Sequence, residues 1–146
     1  MFYQRTFLII ACTILSVFLL TGCGSVPTTP TTTNSADFRT CENILLAWYQ
    51  ALSAGNFPLA LSYCKTGGIS FEYTNNLWRL SMEYPEADVL YTVKDIYAKE
   101  YINPNVISMR YDYCYDFYYD GSYSNTKCEN YFLALFEKVS GEWKLA

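Results

Sequence analysis

The stretch RYDYCYDFYYDG, residues 110–121, sets five tyrosines and a phenylalanine among Asp112, Asp116 and Asp120. Three chemistries could use such a composition. Spaced carboxylates can chelate a cation, a carboxylate beside a tyrosine hydroxyl can move a proton, and tyrosine rings can stack on a ring-bearing ligand. The first fits poorly. Asp116-x-x-x-Asp120-Gly121 imitates the start of a calcium loop, but Tyr118 and Lys127 occupy positions that need oxygen ligands, and no helices flank it. Four cysteines, Cys41, Cys64, Cys114 and Cys128, contain no C-x-x-C pair, and the sequence has no histidine, so zinc is not expected either. Neither a metal nor a cofactor is predicted. The missing histidine also removes the commonest general base.

The elements that must carry these residues can be read from periodicity. Phe38, Cys41, Ile44, Leu45, Trp48 and Leu52 recur at helical spacing, with Ser35 or Asp37 available as cap and Gly55-Asn56 as stop. Pro58 suits the first turn of a second, shorter helix that Gly67-Gly68 would end. A third short helix is expected over roughly 74–82, carrying Leu77, Trp78 and Leu80. From residue 87 the period becomes two. Strands are expected over 87–102, 105–121, 127–139 and 142–146, with turns at Asp120-Gly121 and Ser140-Gly141. Helices followed by a meander of antiparallel strands make an α+β fold, with N-terminal helices packed on a curved sheet.

Parity divides the tyrosine stretch. Ile107, Met109, Tyr111, Tyr113, Tyr115, Phe117 and Tyr119 share one strand face, and Arg110, Asp112, Cys114 and Asp116 share the other. Placing Cys114 opposite Cys128 across the turn sets Met109 against Leu133, Ile107 against Leu135, Tyr111 against Tyr131 and Asp112 against Asn130. Both strands then present one apolar, aromatic face, so a Cys114–Cys128 disulfide and the hairpin support each other. Cys41–Cys64 follows by elimination. The stripe is first of all the inward face of a strand. Seven tyrosines between Tyr111 and Tyr131 are nevertheless more hydroxyls than a dry core readily accommodates, which predicts a wet, tyrosine-lined cleft at the wider end of the sheet. Trp48, Trp78, Tyr111, Tyr113 and Tyr115 are the candidates to line it.

The first residues, MFYQRTFLIIACTILSVFLLTGCGS, place one positive charge ahead of a short apolar run and then small residues, the layout of an export signal. Leu20-Thr21-Gly22-Cys23 resembles the lipobox of bacterial lipoproteins. That resemblance implies a signal peptide over residues 1–22 and a diacylated, palmitate-type lipid on Cys23. It implies anchoring to the extracytoplasmic face of a cell membrane. Residues 23–36 then form the lipidated cysteine and a Thr/Pro-rich tether, and 37–146 a single domain of about 110 residues. Without Arg5, nine basic residues face 14 acidic ones, a net charge of −5. That balance excludes a nucleic-acid footprint.

The helix ending AWYQALSAGNFPLALSYC, with its Gly-Asn-aromatic turn, and the closing LFEKVSGEWKLA hairpin resemble the nuclear-transport-factor-two-like superfamily, the cone-shaped fold shared with ketosteroid isomerase. The resemblance spans Ala36 to Ala146 and implies the cystatin-like cone; the fold hosts enzymes, binding modules and dimerisation domains. Enzymes of the family use an Asp base with a Tyr/Asp oxyanion hole, or a His-Asp pair. Here Asp88 and Asp95 remain the candidates for an acid beside tyrosines. The expected function is therefore a non-catalytic binding or protein-interaction module with an aromatic cleft, taking an apolar or ring-bearing small molecule or a peptide. A small isomerase- or dehydratase-like enzyme using an Asp/Tyr pair is the alternative. Members often dimerise through the outer sheet face; Arg110, Asp112 and Asp116 on that face predict a monomer or a weak homodimer.

Overall fold

The computed structural model describes residues 33–146, with side chains from Ala36 onward. The expected signal peptide, lipidated Cys23 and most of the tether lie outside the described residues. Three helices come first, α1 (Thr33–Ser53), α2 (Phe57–Tyr63) and α3 (Ile69–Glu83), followed by four strands, β1 (Ala87–Asn103), β2 (Val106–Tyr119), β3 (Ser122–Val139) and β4 (Glu142–Leu145). The strands form one antiparallel sheet in the order β1-β2-β3-β4. This is the α+β architecture expected, with α1 lying against the concave face. Among the described residues no helix is long and apolar enough to cross a membrane.

The stripe on α1 behaves as its spacing predicts: Cys41, Leu45, Trp48 and Leu52 are buried, together with Tyr49 and Ala51. The helix begins ahead of Asp37, so Asp37 does not cap it. Instead its carboxylate accepts a hydrogen bond from the Tyr101 hydroxyl at 2.8 Å. At the other end Gly55, with φ 65°, lets the chain turn back, and the N–H groups of Gly55 and Asn56 close on the carbonyls of Leu52 and Ala51. Asn56 then caps α2, its side chain accepting from Leu59 N, with Pro58 in the first turn.

The remaining helices differ from expectation. Gly67-Gly68 does not end α2, which stops at Tyr63; Gly68 instead precedes α3, which starts at Ile69, five residues before the expected start. The reason is a close approach. A Cβ on residue 68 would lie 2.9 Å from the carbonyl carbon of Ala146, so glycine is what lets the end of the sheet pack there. Ala146 accepts from both Ser70 N (3.2 Å) and Ser70 Oγ (2.7 Å), and Lys65 N donates to Leu145 O at 2.7 Å.

The Cys114–Cys128 pairing is present, with Cα atoms 4.0 Å apart, near the spacing of a non-hydrogen-bonded antiparallel pair. Beyond it, the expected register fails by one residue. Tyr111 faces Phe132 rather than Tyr131, Met109 faces Ala134 rather than Leu133, and Ile107 faces Phe136 rather than Leu135. A bulge causes the slip: the single Asp112 lies opposite both Asn130 and Tyr131, and Tyr131 adopts φ 60°. The Asp112 carboxylate holds it, accepting from Tyr131 N and from the Tyr97 hydroxyl, each at 2.9 Å. Phe136 is therefore fully buried and Leu133 is 50 % exposed beside Arg110, which makes the outer face more apolar than the sequence suggests. On the other side of β2, β1 carries three register shifts. Both neighbours of β2 thus contain extra residues, and extra length on the flanking strands bends the sheet around its centre.

The expected Cys41–Cys64 disulfide is absent: both are buried free thiols. Helix length explains it. The seven residues of α2 run back about 10 Å from the turn, whereas Cys41 lies 12 residues before Ser53, about 18 Å up α1. Cys64 stops level with Trp48. Its Sγ lies 3.9 Å from Thr74 Oγ1, to which the Trp48 indole N–H donates.

Candidate binding grooves beside α3

Six tyrosines from four elements converge on the concave face. Tyr49 comes from α1 because it follows Trp48 on the flank of the buried stripe; Tyr91 comes from β1, Tyr111, Tyr113 and Tyr115 from the inward face of β2, and Tyr73 from α3. The Tyr49 ring packs within 6.0 Å of the rings of Tyr91, Tyr111 and Tyr113, and its hydroxyl meets that of Tyr111 at 2.9 Å. The Tyr73 and Tyr91 hydroxyls approach to 3.4 Å. Burial raises the Tyr49, Tyr91 and Tyr111 hydroxyls above the ordinary phenol range, and pushes Tyr113 up to about 12. These phenols stay protonated at neutral pH, so the interior is uncharged and its polar groups are hydroxyl dipoles.

Two grooves flank α3. The larger, about 500 Å³, is lined by Trp48, Tyr49, Tyr73, Tyr111, Tyr113 and Phe132, with the Lys65–Glu137 ion pair (2.6 Å) at its border. The smaller, about 320 Å³, is lined by Phe57, Leu77, Tyr84, Tyr91, Phe117 and Tyr119, among others. Asp88 borders it on β1, at a position that pairs with Tyr118 on the outer face of the sheet. Tyr73 belongs to one lining and Tyr91 to the other.

Of the five residues expected to line a cleft, Trp48, Tyr111 and Tyr113 do so in the larger groove. Trp78 and Tyr115 line neither groove. Trp78 is stacked on Phe57 at 6.3 Å, and its neighbour Leu77 is the one that packs against the core. Tyr115 is occupied by the rings of Tyr91 and Tyr113. Sequence reasoning missed Tyr49, Tyr73 and Phe132. The first had a local signal in its position beside Trp48. Phe132 had none, since only the bulge turns it inward.

The other aspartates singled out in the sequence fall elsewhere. Asp112 holds the bulge on the outer face, Asp116 accepts a hydrogen bond from Thr126, and Asp120 sits in the hairpin turn with φ 49°. Asp95 is exposed opposite Asp112. Among the described residues no cluster of His, Cys, Asp or Glu could hold a metal ion, and Thr74 and Ser108 are the buried polar side chains. Two Asp/Tyr pairs lie away from the grooves, Asp112 with Tyr97 at the bulge and Asp37 with Tyr101. The indole N–H of Trp143 and the Tyr101 hydroxyl hold the Asp37 carboxyl below the usual range. Trp143 Nε1 is buried and makes no well-formed hydrogen bond, so it acts on Asp37 as a nearby dipole.

No family model and no curated protein matches the chain. Solved structures do. A protein from Novosphingobium aromaticivorans assigned as a scytalone dehydratase matches with a TM-score of 0.59 at 13 % identity, covering 77 % of this chain and 81 % of that one. The association domain of C. elegans CaMKII matches with a TM-score of 0.56 at 14 % identity, covering 77 % and 93 %. An NTF2-like protein of unknown function from Shewanella oneidensis gives 0.51 at 14 % identity, covering 75 % and 93 %. The fold is that of NTF2-like proteins.

Proposed function

We propose that this protein is a lipid-anchored, extracytoplasmic binding module whose larger groove takes a neutral, ring-bearing or apolar small molecule. The observation that carries this reading is the lining of that groove: several aromatic rings around about 500 Å³, a volume in the range of small-molecule sites, with hydroxyl dipoles as its principal polar groups. Rings supply apolar area, and protonated phenols supply a few directional contacts. The shared fold does not choose among functions, since neighbours assigned as an enzyme and as an association domain have it alike.

The catalytic alternative can draw on two Asp/Tyr pairs; Asp112 with Tyr97 is committed to holding the bulge, which leaves Asp37 with Tyr101. A carboxyl held below its usual range is a weak base, the opposite of what proton abstraction at neutral pH requires. Binding is therefore the better reading.

Titrating intrinsic fluorescence with 2-naphthol tests it. We expect saturable quenching in the wild type and a loss of affinity of about tenfold or more in Phe132→Glu, which puts a charge in the groove wall at a side chain that is 47 % exposed. Unchanged binding in that variant would sink the assignment. The anchor is tested separately: fatty-acid label should enter the wild type and be absent from Cys23→Ala.

A further inference from the structure

Although both grooves lie beside α3, they are not on opposite sides of it. We propose that they are two halves of one channel, closed in the middle by the Tyr73–Tyr91 contact, and that the channel takes an unbranched aliphatic chain with one neutral polar head. The proposal rests on the binding role given to the larger groove and names the class of its ligand.

Three walls continue from one groove into the other. On α3, Ile69, Ser70 and Tyr73 line the larger groove and Leu77 and Leu80 the smaller, with Tyr84 just beyond the helix end. Helical spacing places those five helix residues within an arc of about 100°, so the grooves follow each other along one helix face. On the inward face of β2, Tyr111 and Tyr113 line the larger groove and Phe117 and Tyr119 the smaller, with Tyr115 between them. On α1, Trp48 and Tyr49 belong to the larger groove, Leu52 and Ser53 to the smaller. From Ser70 to Tyr84 the path runs about 21 Å, the length of an extended chain of roughly 16 carbons.

The seam between the halves is weak. The Tyr73 and Tyr91 hydroxyls stand 3.4 Å apart, beyond the usual spacing of a hydroxyl hydrogen bond. Tyr73 is 41 % exposed, so its ring can turn toward solvent without breaking the core. Tyr115 stays packed against the rings of Tyr91 and Tyr113, which keeps the opening narrow and suits it to a single alkyl chain. The direction of the chain follows from the hydroxyls. Three in the wall of the smaller groove are already committed. Ser53 Oγ accepts from Tyr91 N (2.8 Å), Ser81 Oγ donates to Trp78 O (2.8 Å), and the Tyr119 hydroxyl donates to Glu86 (3.0 Å). The polar head therefore belongs in the larger groove, whose wall includes the Tyr73 and Tyr113 hydroxyls. The tail covers Leu80 and Tyr84, large apolar side chains that the fold leaves open to solvent.

Hexanol and decanol test this, each titrated into isotope-labelled protein and followed by amide chemical shifts. Hexanol should move the amides around Ser70 and Tyr73 alone, because the larger groove holds it whole. Decanol should move those and the amides of residues 77–84 as well. Each further buried methylene tightens binding about fourfold, so decanol should bind at least about 50-fold more tightly than hexanol. Leu80→Asp, at a half-exposed position, puts a charge in the path of the tail. It should weaken decanol at least about tenfold and leave hexanol unchanged. No binding of decanol, decanol shifts confined to one groove, or an affinity indifferent to Leu80→Asp overturns the channel. 2-Naphthol keeps the two readings apart. If it binds while decanol stays in the larger groove, the groove assignment stands and the channel falls. If it fails to bind while decanol spans both segments, the ring-bearing ligand falls and the channel stands.

Discussion

Replacing Phe136 with alanine should destabilise the domain by about 3–5 kcal/mol, whereas Leu133→Ala should change stability by less than about 1 kcal/mol. The two residues lie three apart on one strand, and simple alternation would choose Leu133 and Leu135 as core. The bulge at Asn130–Tyr131 reverses that choice. Phe136 is fully buried opposite Ile107, and Leu133 stands half exposed beside Arg110. Truncating Phe136 removes its burial and leaves a cavity among side chains that cannot all relax into it. For a domain whose total stability lies in the range of about 5–15 kcal/mol, such a loss is visible in any urea titration. A larger cost for Leu133→Ala than for Phe136→Ala would restore the uniform register and move Phe132 out of the groove.

Removing the Cys114–Cys128 bond by a double alanine substitution should cost about 3 kcal/mol, the chain-entropy value for a loop of roughly 15 residues, and lower the melting temperature by on the order of 10 °C. Alkylation gives the complementary result. Under native, non-reducing conditions Cys41 and Cys64 should resist iodoacetamide, since both are buried and burial pushes the Cys41 thiol up to about 12. After unfolding without reductant both should react, and Cys114 and Cys128 should stay linked in one mapped peptide pair. A Cys41–Cys64 cross-link in that map would overturn the arrangement of α1 and α2.

Periodicity made the helix stripe and the odd-numbered tyrosine face legible because each is local, set by 3.6 or two residues of spacing. The hairpin turns were equally plain, since Asp120-Gly121 and Ser140-Gly141 carry positive φ. What stayed hidden depends on distant partners. The bulge is held by Tyr97, 15 residues before Asp112 in the chain, so no window on β3 reveals it. The start of α3 is set by the packing of Gly68 against Ala146, and pairing cysteines by elimination ignored how far seven helical residues can reach. Of the cleft, Tyr111 and Tyr113 on β2 were found because parity sufficed, whereas Tyr115 on the same face is covered by the rings of Tyr91 and Tyr113. Phe132, whose direction depends on the bulge, was missed, as were Tyr49 and Tyr73, whose roles depend on how the helices pack on the sheet.

The docking of residues 143–146 against the start of α3 also has a consequence for how the chain acquires its shape. Trp143 and Leu145 are core residues, and Ser70 Oγ bonds to Ala146 across a separation of 76 positions. A ribosome delivers α1 and α2 long before it delivers the strand that closes over them. Until then Leu45, Trp48 and Cys64 lack part of the surface that buries them. Completion of the core is therefore expected to wait for the last strand, a non-local contact of the kind that slows folding.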